Sequence, residues 1–265
     1  MAGASISLLV LDEQLRELLD VPAASPFFQH GGGQLPDVAS TESVEDLAES
    51  TPETGPAGKA TALASVLVDV LGRLPQHEHE LRDLDAALGD GALGITVASG
   101  AKAALAEIER DPSAPDGALL QRIGAAFAAA NPSTFAALIG GGIIHASGRL
   151  GASSLAGSSE IAAWARDVQA RIAERGGAAI GDKAILDVLD PSLAALEAAH
   201  DRSPIEALDL MIAAVDEATE ATTPLQSARG RAAWLRERSA GLKDPGMAAY
   251  RALLAELRTT LSERA

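Results

Sequence analysis

The sequence predicts an all-α protein, and three observations predict it. Aromatic residues make up only 3% of the 265-residue chain while alanine is abundant, a composition that suits close-packed helices better than strands. From Lys59 onward apolar residues recur at helical spacing almost throughout. The connections between these periodic stretches are short and rich in Gly, Pro or Asp, which favours antiparallel neighbours in sequence order.

The elements follow in order. Residues 6–11 carry the one convincing strand signal, yet so apolar a strand needs pairing partners that nothing nearby supplies. A short helix over 12–19 is stopped by Pro22 and Pro26. Residues 29–57 read as a flexible tether, with Gly31, Gly32 and Gly33, scattered Ser, Thr, Pro and Glu, and few large apolar side chains. Helical spacing then runs over 60–74, stopped by Pro75, and over 78–88. It resumes over 96–109 and breaks at Asp111-Pro112-Ser113-Ala114-Pro115. Further helices are expected over 117–130, 135–150, 158–174, 185–199, 204–220, 228–239 and 245–263. The chain beyond residue 58 reads as one all-helical domain of about eight helices.

Composition bounds the function. A formal charge of −16 argues against a nucleic-acid partner, which wants a basic surface. A polyphosphate ligand would have to be held by backbone amides, metal ions and a few placed arginines. Cysteine is absent, so there is no disulfide frame and no thiolate site, in keeping with a reducing compartment. No apolar run reaches the roughly 18 residues of a membrane span, and the start lacks a charged-then-apolar signal pattern. The expectation is a cytoplasmic protein that does not engage a membrane.

The most informative stretch is 85–94, Asp-Ala-Ala-Leu-Gly-Asp-Gly-Ala-Leu-Gly. On a continuous helix Asp85 and Asp90 would point roughly 140° apart. Gly89 and Gly91 break the helix and let the backbone fold back, so both carboxylates can converge on a hard cation. A third acid at position 92 would complete a two-metal cradle for a nucleotide phosphate tail, but the residue is Ala92.

Other loops suit anions. Gly94-Ile95-Thr96 opens a helix, whose free amides and positive dipole end favour negative charge; read alone, it is equally an ordinary helix start with Thr96 near the cap. Asn131-Pro132-Ser133-Thr134 also starts a helix and, alone, reads as a cap. Gly176-Gly177 and Ile180-Gly181-Asp182-Lys183 share one connection, where Asp182 can cap the next helix and Lys183 can be a solvated surface charge. Arg231 suits a phosphate clamp through its fixed fork of donors, or a surface ion pair. His77 and His79 lack a zinc spacing and read as a solvated helix entrance. His145 reads as a satisfied core histidine. The Asp/Gly loop is not a P-loop, since no Gly-Lys-Ser/Thr follows.

Taken together, the order and spacing of these loops form a signature. Leu84-Asp85, Gly89-Asp90-Gly91, Gly94, Gly181-Asp182-Lys183, Arg229-Gly230-Arg231-Ala232, Glu237-Arg238-Ser239 and Asp244-Pro245-Gly246 resemble the L-type, nucleotide-binding domain of the dihydroxyacetone kinase family, over about residues 60–263. The start, with Gly3 to Leu9 and Leu18 to Pro26, resembles the extreme C-terminus of the K-type, ketose-binding domain of single-chain members. The resemblance therefore implies a K-type remnant over 1–28, a linker over 29–58 and an L-type domain over 59–265.

It further implies an antiparallel eight-helix barrel that binds ATP or ADP across the loops at one end. Asp85 and Asp90 match two of three aspartates that hold two magnesium ions. Leu93, Gly94, Ile95 and Thr96 match a phosphate-contacting segment. Ser133, with Pro132 or Thr134, falls where a Gly-rich serine loop lies in the family, from which this sequence departs. Gly176 and Ile185 match residues beside the adenine, Arg231 a phosphate-facing arginine, and Asp244-Pro245-Gly246 a nucleotide-contacting turn. The implied partner is a K-type domain, in cis or in trans, whose histidine holds the ketose. Dihydroxyacetone is the default ketose and erythrulose is equally compatible; oligomeric state is open, a homodimer included.

Ala92 replaces the third family aspartate and Leu93 a residue that is often histidine, so one metal site is weakened. Three readings follow: a kinase whose site is completed by a substitute acid or water, a catalytically impaired regulatory or partner-binding domain, and a helical module that binds an apolar ligand or lipid.

Overall fold

The structure, a computed structural model, describes residues 12–20, 59–150 and 154–265. The chain divides into two compact units, Met1–Pro52 and Glu53–Ala265. In the first, helix α1 (Glu13–Asp20) lies within a residue of its expected bounds. Asp12 starts it, accepting the Leu15 amide at 2.7 Å, as an N-cap acid does. The expected strand over 6–11 and the tether over 29–57 lie outside the described residues.

The described part of the second unit is helical, as the sequence predicts. Thr61 caps α2 (Ala62–Arg73) through its hydroxyl, and Pro75 turns the chain through a 3₁₀ turn, Leu74–His77. The series continues with α3 (Glu78–Leu88), α4 (Leu93–Arg110), α5 (Asp116–Ala129), α6 (Thr134–Gly148), α7 (Ser158–Gly176), α8 (Leu186–Ala198), α9 (Pro204–Thr222) and α10 (Pro245–Arg264). A full capping box starts α9, where Ser203 and Glu206 each bind the other's backbone amide.

From α3 to α10 each helix packs on the next, and α10 returns to α2 and α3. Alanine makes this closeness possible. Ala64, Ala101, Ala104 and Ala136 are fully buried, and α5 meets α6 where a Cβ on Gly140 would stand 2.4 Å from the Gly124 carbonyl oxygen. One core joins α2 to α5, with Leu81, Ile108 and Leu119 at its centre. A second joins α7 to α10 around Val188, Leu193, Val215 and Met247.

Three sequence expectations change. The helix expected over 228–239 is a 3₁₀ segment, Arg231–Ser239, broken at Arg236 (φ 50°, ψ −124°); its end is held instead by Ser239, whose hydroxyl binds the Arg236 carbonyl and the Ser227 amide. His145 is exposed on α6 rather than buried in the core, because the face of α6 toward α5 and α7 is taken by Gly140, Gly142 and Ala146. His77 is no solvated entrance: its Nε2 lies 2.8 Å from the buried Glu256 of α10.

Candidate functional site

Every second connection of the helical series reaches one cleft of about 600 Å³. These are the links α3–α4, α5–α6, α7–α8 and α9–α10, the set that alternately rising and falling helices bring to one end.

In the α3–α4 link, the chain reverses at Gly91 (φ 73°). Asp85 reaches across the turn and accepts the Leu93 amide at 3.0 Å, capping α4, so the helix begins three residues before its expected start. Asp90 accepts the Ala92 amide at 3.3 Å, and its other oxygen pairs with the Arg231 guanidinium. The glycine at 94 has a packing reason: a Cβ there would stand 2.0 Å from the Glu78 carbonyl oxygen, so α4 can cross α3 only without a side chain. Thr96, one turn in, is buried, and its hydroxyl finds no hydrogen-bond partner.

In the α5–α6 link, Ser133 caps α6 by accepting the Ala136 amide. In the α7–α8 link, Lys183 is corrected from a surface charge to one of the most buried side chains of the molecule, 1% exposed. Its ammonium donates to the carbonyls of Thr223 and Leu225 at 2.9 Å and of Ser239 at 2.8 Å. Burial pushes this ammonium below the usual lysine range, and the charge of Asp244 opposes that. Asp182 does not cap α8. It accepts the Ala179 amide and pairs with Arg229 at 2.7 Å, and the Arg229 hydrogen bond, then the amide, hold its carboxyl below the usual range. Asp187 is the acid that takes amides there, from Gly181 and Ala184.

In the α9–α10 link, Asp244 caps α10 through the Met247 amide at 3.0 Å. Burial pushes its carboxyl up to about 6, against the amides of Met247 and Gly246 and the charge of Lys183.

Of the residues singled out from the sequence, Asp85, Asp90, Leu93, Thr96, Ser133, Thr134, Gly176, Ile185, Arg231, Asp244, Pro245 and Gly246 all line this cleft. Gly94 and Ile95 are not among its walls: Gly94 is buried against α3, and Ile95 is exposed. Sequence reasoning missed the apolar wall of Phe135, Leu138 and Ile172, the cationic Arg175, and Trp234. Nothing in their local patterns separates them from ordinary helix positions. The cleft thus gathers three arginines, Arg175, Arg229 and Arg231, in a chain of net charge −16. Among the described residues no three His, Cys, Asp or Glu side chains are grouped closely enough to hold a metal ion by themselves.

The DAK2 domain family matches residues 87–259. The chain belongs to the DAK2 domain family. The chain is 35% identical to the D-erythrulose kinase of Mycolicibacterium smegmatis over 93% of its length and 44% of that protein. It is 32% identical to the ADP-binding subunit DhaL of the PEP-dependent dihydroxyacetone kinase 1 of Listeria innocua, over 66% of the chain and 83% of the subunit. Against the full-length kinases, the chain spans about half the length of the relatives it matches. The dihydroxyacetone kinase from C. freundii, solved in complex with AMP-PNP and Mg2+, shares the fold with a TM-score of 0.61 at 24% identity, over 82% of this chain and 36% of that one.

Proposed function

We propose that this chain is the magnesium-nucleotide-binding part of an ATP-dependent kinase of short-chain ketoses. One observation carries the reading: loops far apart in sequence bring three aspartates, the starts of α4, α6, α8 and α10, and three arginines to the walls of a single cleft. The related erythrulose kinases, the ADP-binding subunit and the nucleotide-bound C. freundii enzyme support it.

The residues fit magnesium of one kind. Mg²⁺ characteristically takes one or two carboxylates and fills its octahedron with waters and phosphate oxygens. Asp85 and Asp90 supply such a pair, whereas an all-protein cage is not available among the described residues. Magnesium bound there would neutralise phosphate charge. The start of α4 with Thr96, the Ser133-Thr134 cap and Arg231 face the same space and suit phosphate oxygens. Gly176 and Ile185, beside the apolar Leu138 and Ile172, suit the base, with Asp244-Pro245-Gly246 closing the turn. Phosphoryl transfer asks a protein mainly for positioning and charge stabilisation, which is what these groups supply. The ketose and its K-type domain, in cis or in trans, complete the reaction.

The missing third acid favours a second reading, a nucleotide-binding domain of reduced turnover with a regulatory or partner-binding role, because only Asp85 and Asp90 line the α3–α4 side of the cleft. A thermal-shift titration with Mg-ADP and Mg-ATP tests the site. The expected result is a magnesium-dependent rise in melting temperature that disappears in Asp90→Ala. A shift unchanged by that substitution removes the site assignment. Reconstitution with a K-type domain then separates the two readings by ketose turnover.

A further inference from the structure

Lys183 is the most deeply buried cation of the described chain and borders the cleft, yet its ammonium is engaged by backbone alone. Its three ammonium protons are all spent on backbone carbonyls: Thr223 and Leu225 at the end of α9, and Ser239 at the end of the 3₁₀ segment. Between those carbonyls lies the excursion that carries Arg229, Arg231 and Trp234 into the cleft. One side chain from the α7–α8 link thus ties together both feet of the loop in the α9–α10 link.

We infer that Lys183 is a positioning residue whose ammonium fixes the base of the 223–239 loop and thereby sets where Arg231 meets the ligand. This rests on the nucleotide reading above for its effect on binding. Neighbouring contacts share the geometry. The Gly241 amide meets the Thr223 carbonyl at 2.8 Å and the Ala228 amide meets the Asp182 carbonyl at 2.9 Å. Ser239 takes the Ser227 amide at 2.9 Å. The backbone supports the assignment too. Lys183 sits at φ 57°, a left-handed conformation that a side-chain-bearing residue keeps only where its surroundings over-determine it. A residue at this place with no side-chain task would be expected to be glycine, as Gly181 is at φ 95°. The choice of lysine over arginine also has a reason. A compact ammonium can aim three donors in three directions, whereas a guanidinium spreads its donors in one plane.

The test uses the full chain with Trp164→Phe, which leaves Trp234 as the one tryptophan. Trp234 rides on the loop and is 61% exposed, so its fluorescence anisotropy and acrylamide quenching report loop order. Lys183→Met is compared with Leu193→Ala, a cavity in the α7–α10 core remote from the loop in sequence. The expected result is a folded Lys183→Met with lower Trp234 anisotropy, stronger quenching and a Kd for Mg-ADP raised at least tenfold. Leu193→Ala, brought to the same loss of melting temperature, should change neither. Should Lys183→Met fail to fold, Lys183→Arg keeps the charge and is expected to show the same loosening. Anisotropy and Kd within twofold of the parent overturn the inference, as does an equal effect from Leu193→Ala. A parent chain that binds no Mg-ADP removes the nucleotide reading instead. The anisotropy comparison then decides by itself whether Lys183 holds the loop.

Discussion

Arg231 and Asp90 form an ion pair across the cleft, joining the α9–α10 link to the α3–α4 link. Each side chain is about half exposed, so water screens the pair and its stability contribution is at most about 1 kcal/mol. Its meaning lies in occupancy: the guanidinium sits on a carboxylate proposed to hold magnesium. Arg231→Met is therefore expected to leave the melting temperature within about 2 °C, since an effect below 1 kcal/mol shifts a domain of this size little. Affinity for Mg-ADP should fall about tenfold through loss of a charge-assisted phosphate contact. Calorimetric titration of the variant at low and moderate salt checks this; unchanged affinity at both removes Arg231 from the site.

Ala92→Asp adds a third carboxylate beside Asp90. If the site is limited by its ligand count, affinity for Mg-ADP should rise tenfold or more, in line with electrostatic terms of a few kcal/mol at such sites. The apo chain should lose a little stability from crowding of like charge. An affinity that stays the same in a titration with ADP at saturating magnesium means that the native pair already suffices.

Thr96 has a buried hydroxyl with no partner. Replacing it by valine, of nearly the same shape, removes an unsatisfied group and should leave the apo chain as stable or about 1 kcal/mol more stable. The same change should weaken nucleotide binding if the hydroxyl is kept for a phosphate oxygen. Paired urea melts and Mg-ADP titrations read the two effects, and a variant less stable than the parent contradicts the orphan status of the hydroxyl.

Gly94→Ala tests the α3–α4 crossing. Helix propensity favours alanine by about 1 kcal/mol. Against that, a Cβ 2.0 Å from the Glu78 carbonyl must push two backbones apart, at the upper end of the roughly 1–3 kcal/mol that overpacking costs. Repulsion wins, and urea denaturation should show a net loss of about 2 kcal/mol. Nucleotide binding should fall with it, because Asp85 reaches α4 across this contact.

Asp244 gives the pH prediction. Its carboxyl is raised to about 6 from an ordinary 3.8, so between those values the folded chain holds a proton that the unfolded chain has released. By linkage, this group's contribution to stability is fully present below pH 4 and is lost as pH rises through 6. Asp244→Asn keeps an oxygen for the Met247 amide without the charge. It is expected to be more stable than the parent at pH 8, by at most about 3 kcal/mol for a shift of that size, with the advantage vanishing near pH 4. Denaturant melts of both proteins across that range decide it.

Much of this molecule was legible in its sequence because its signals are local. Apolar spacing, prolines and Gly/Asp breakers place α1 to α10 to within a few residues, the 3₁₀ segment excepted. The cleft was legible only in part from local signals, and it was the resemblance to the dihydroxyacetone kinase family that grouped its loops into one site. Asp85, Asp90, Ser133 and Asp244 each sit at a helix boundary, where a polar residue taken alone reads simply as a cap. What was not legible depends on partners distant in sequence. Lys183 is buried by carbonyls 40 to 56 residues away, and no pattern around it announces that. Gly94 reads as a phosphate-loop glycine, yet its constraint comes from Glu78. The 228–239 stretch has helical composition, but its end hydrogen bonds go to Ser239 instead of a continuing helix.

Gathering every second connection at one end leaves the described residues of the alternate connections with none of the cleft's walls. The links at residues 111–115 and 199–203 contribute nothing to it. On the proposed reading, one end of the helical series carries the ligand, while the links at 111–115 and 199–203 stand apart from it. A short insert or a fluorescent label at the exposed Asp201 should therefore leave Mg-ADP affinity unchanged.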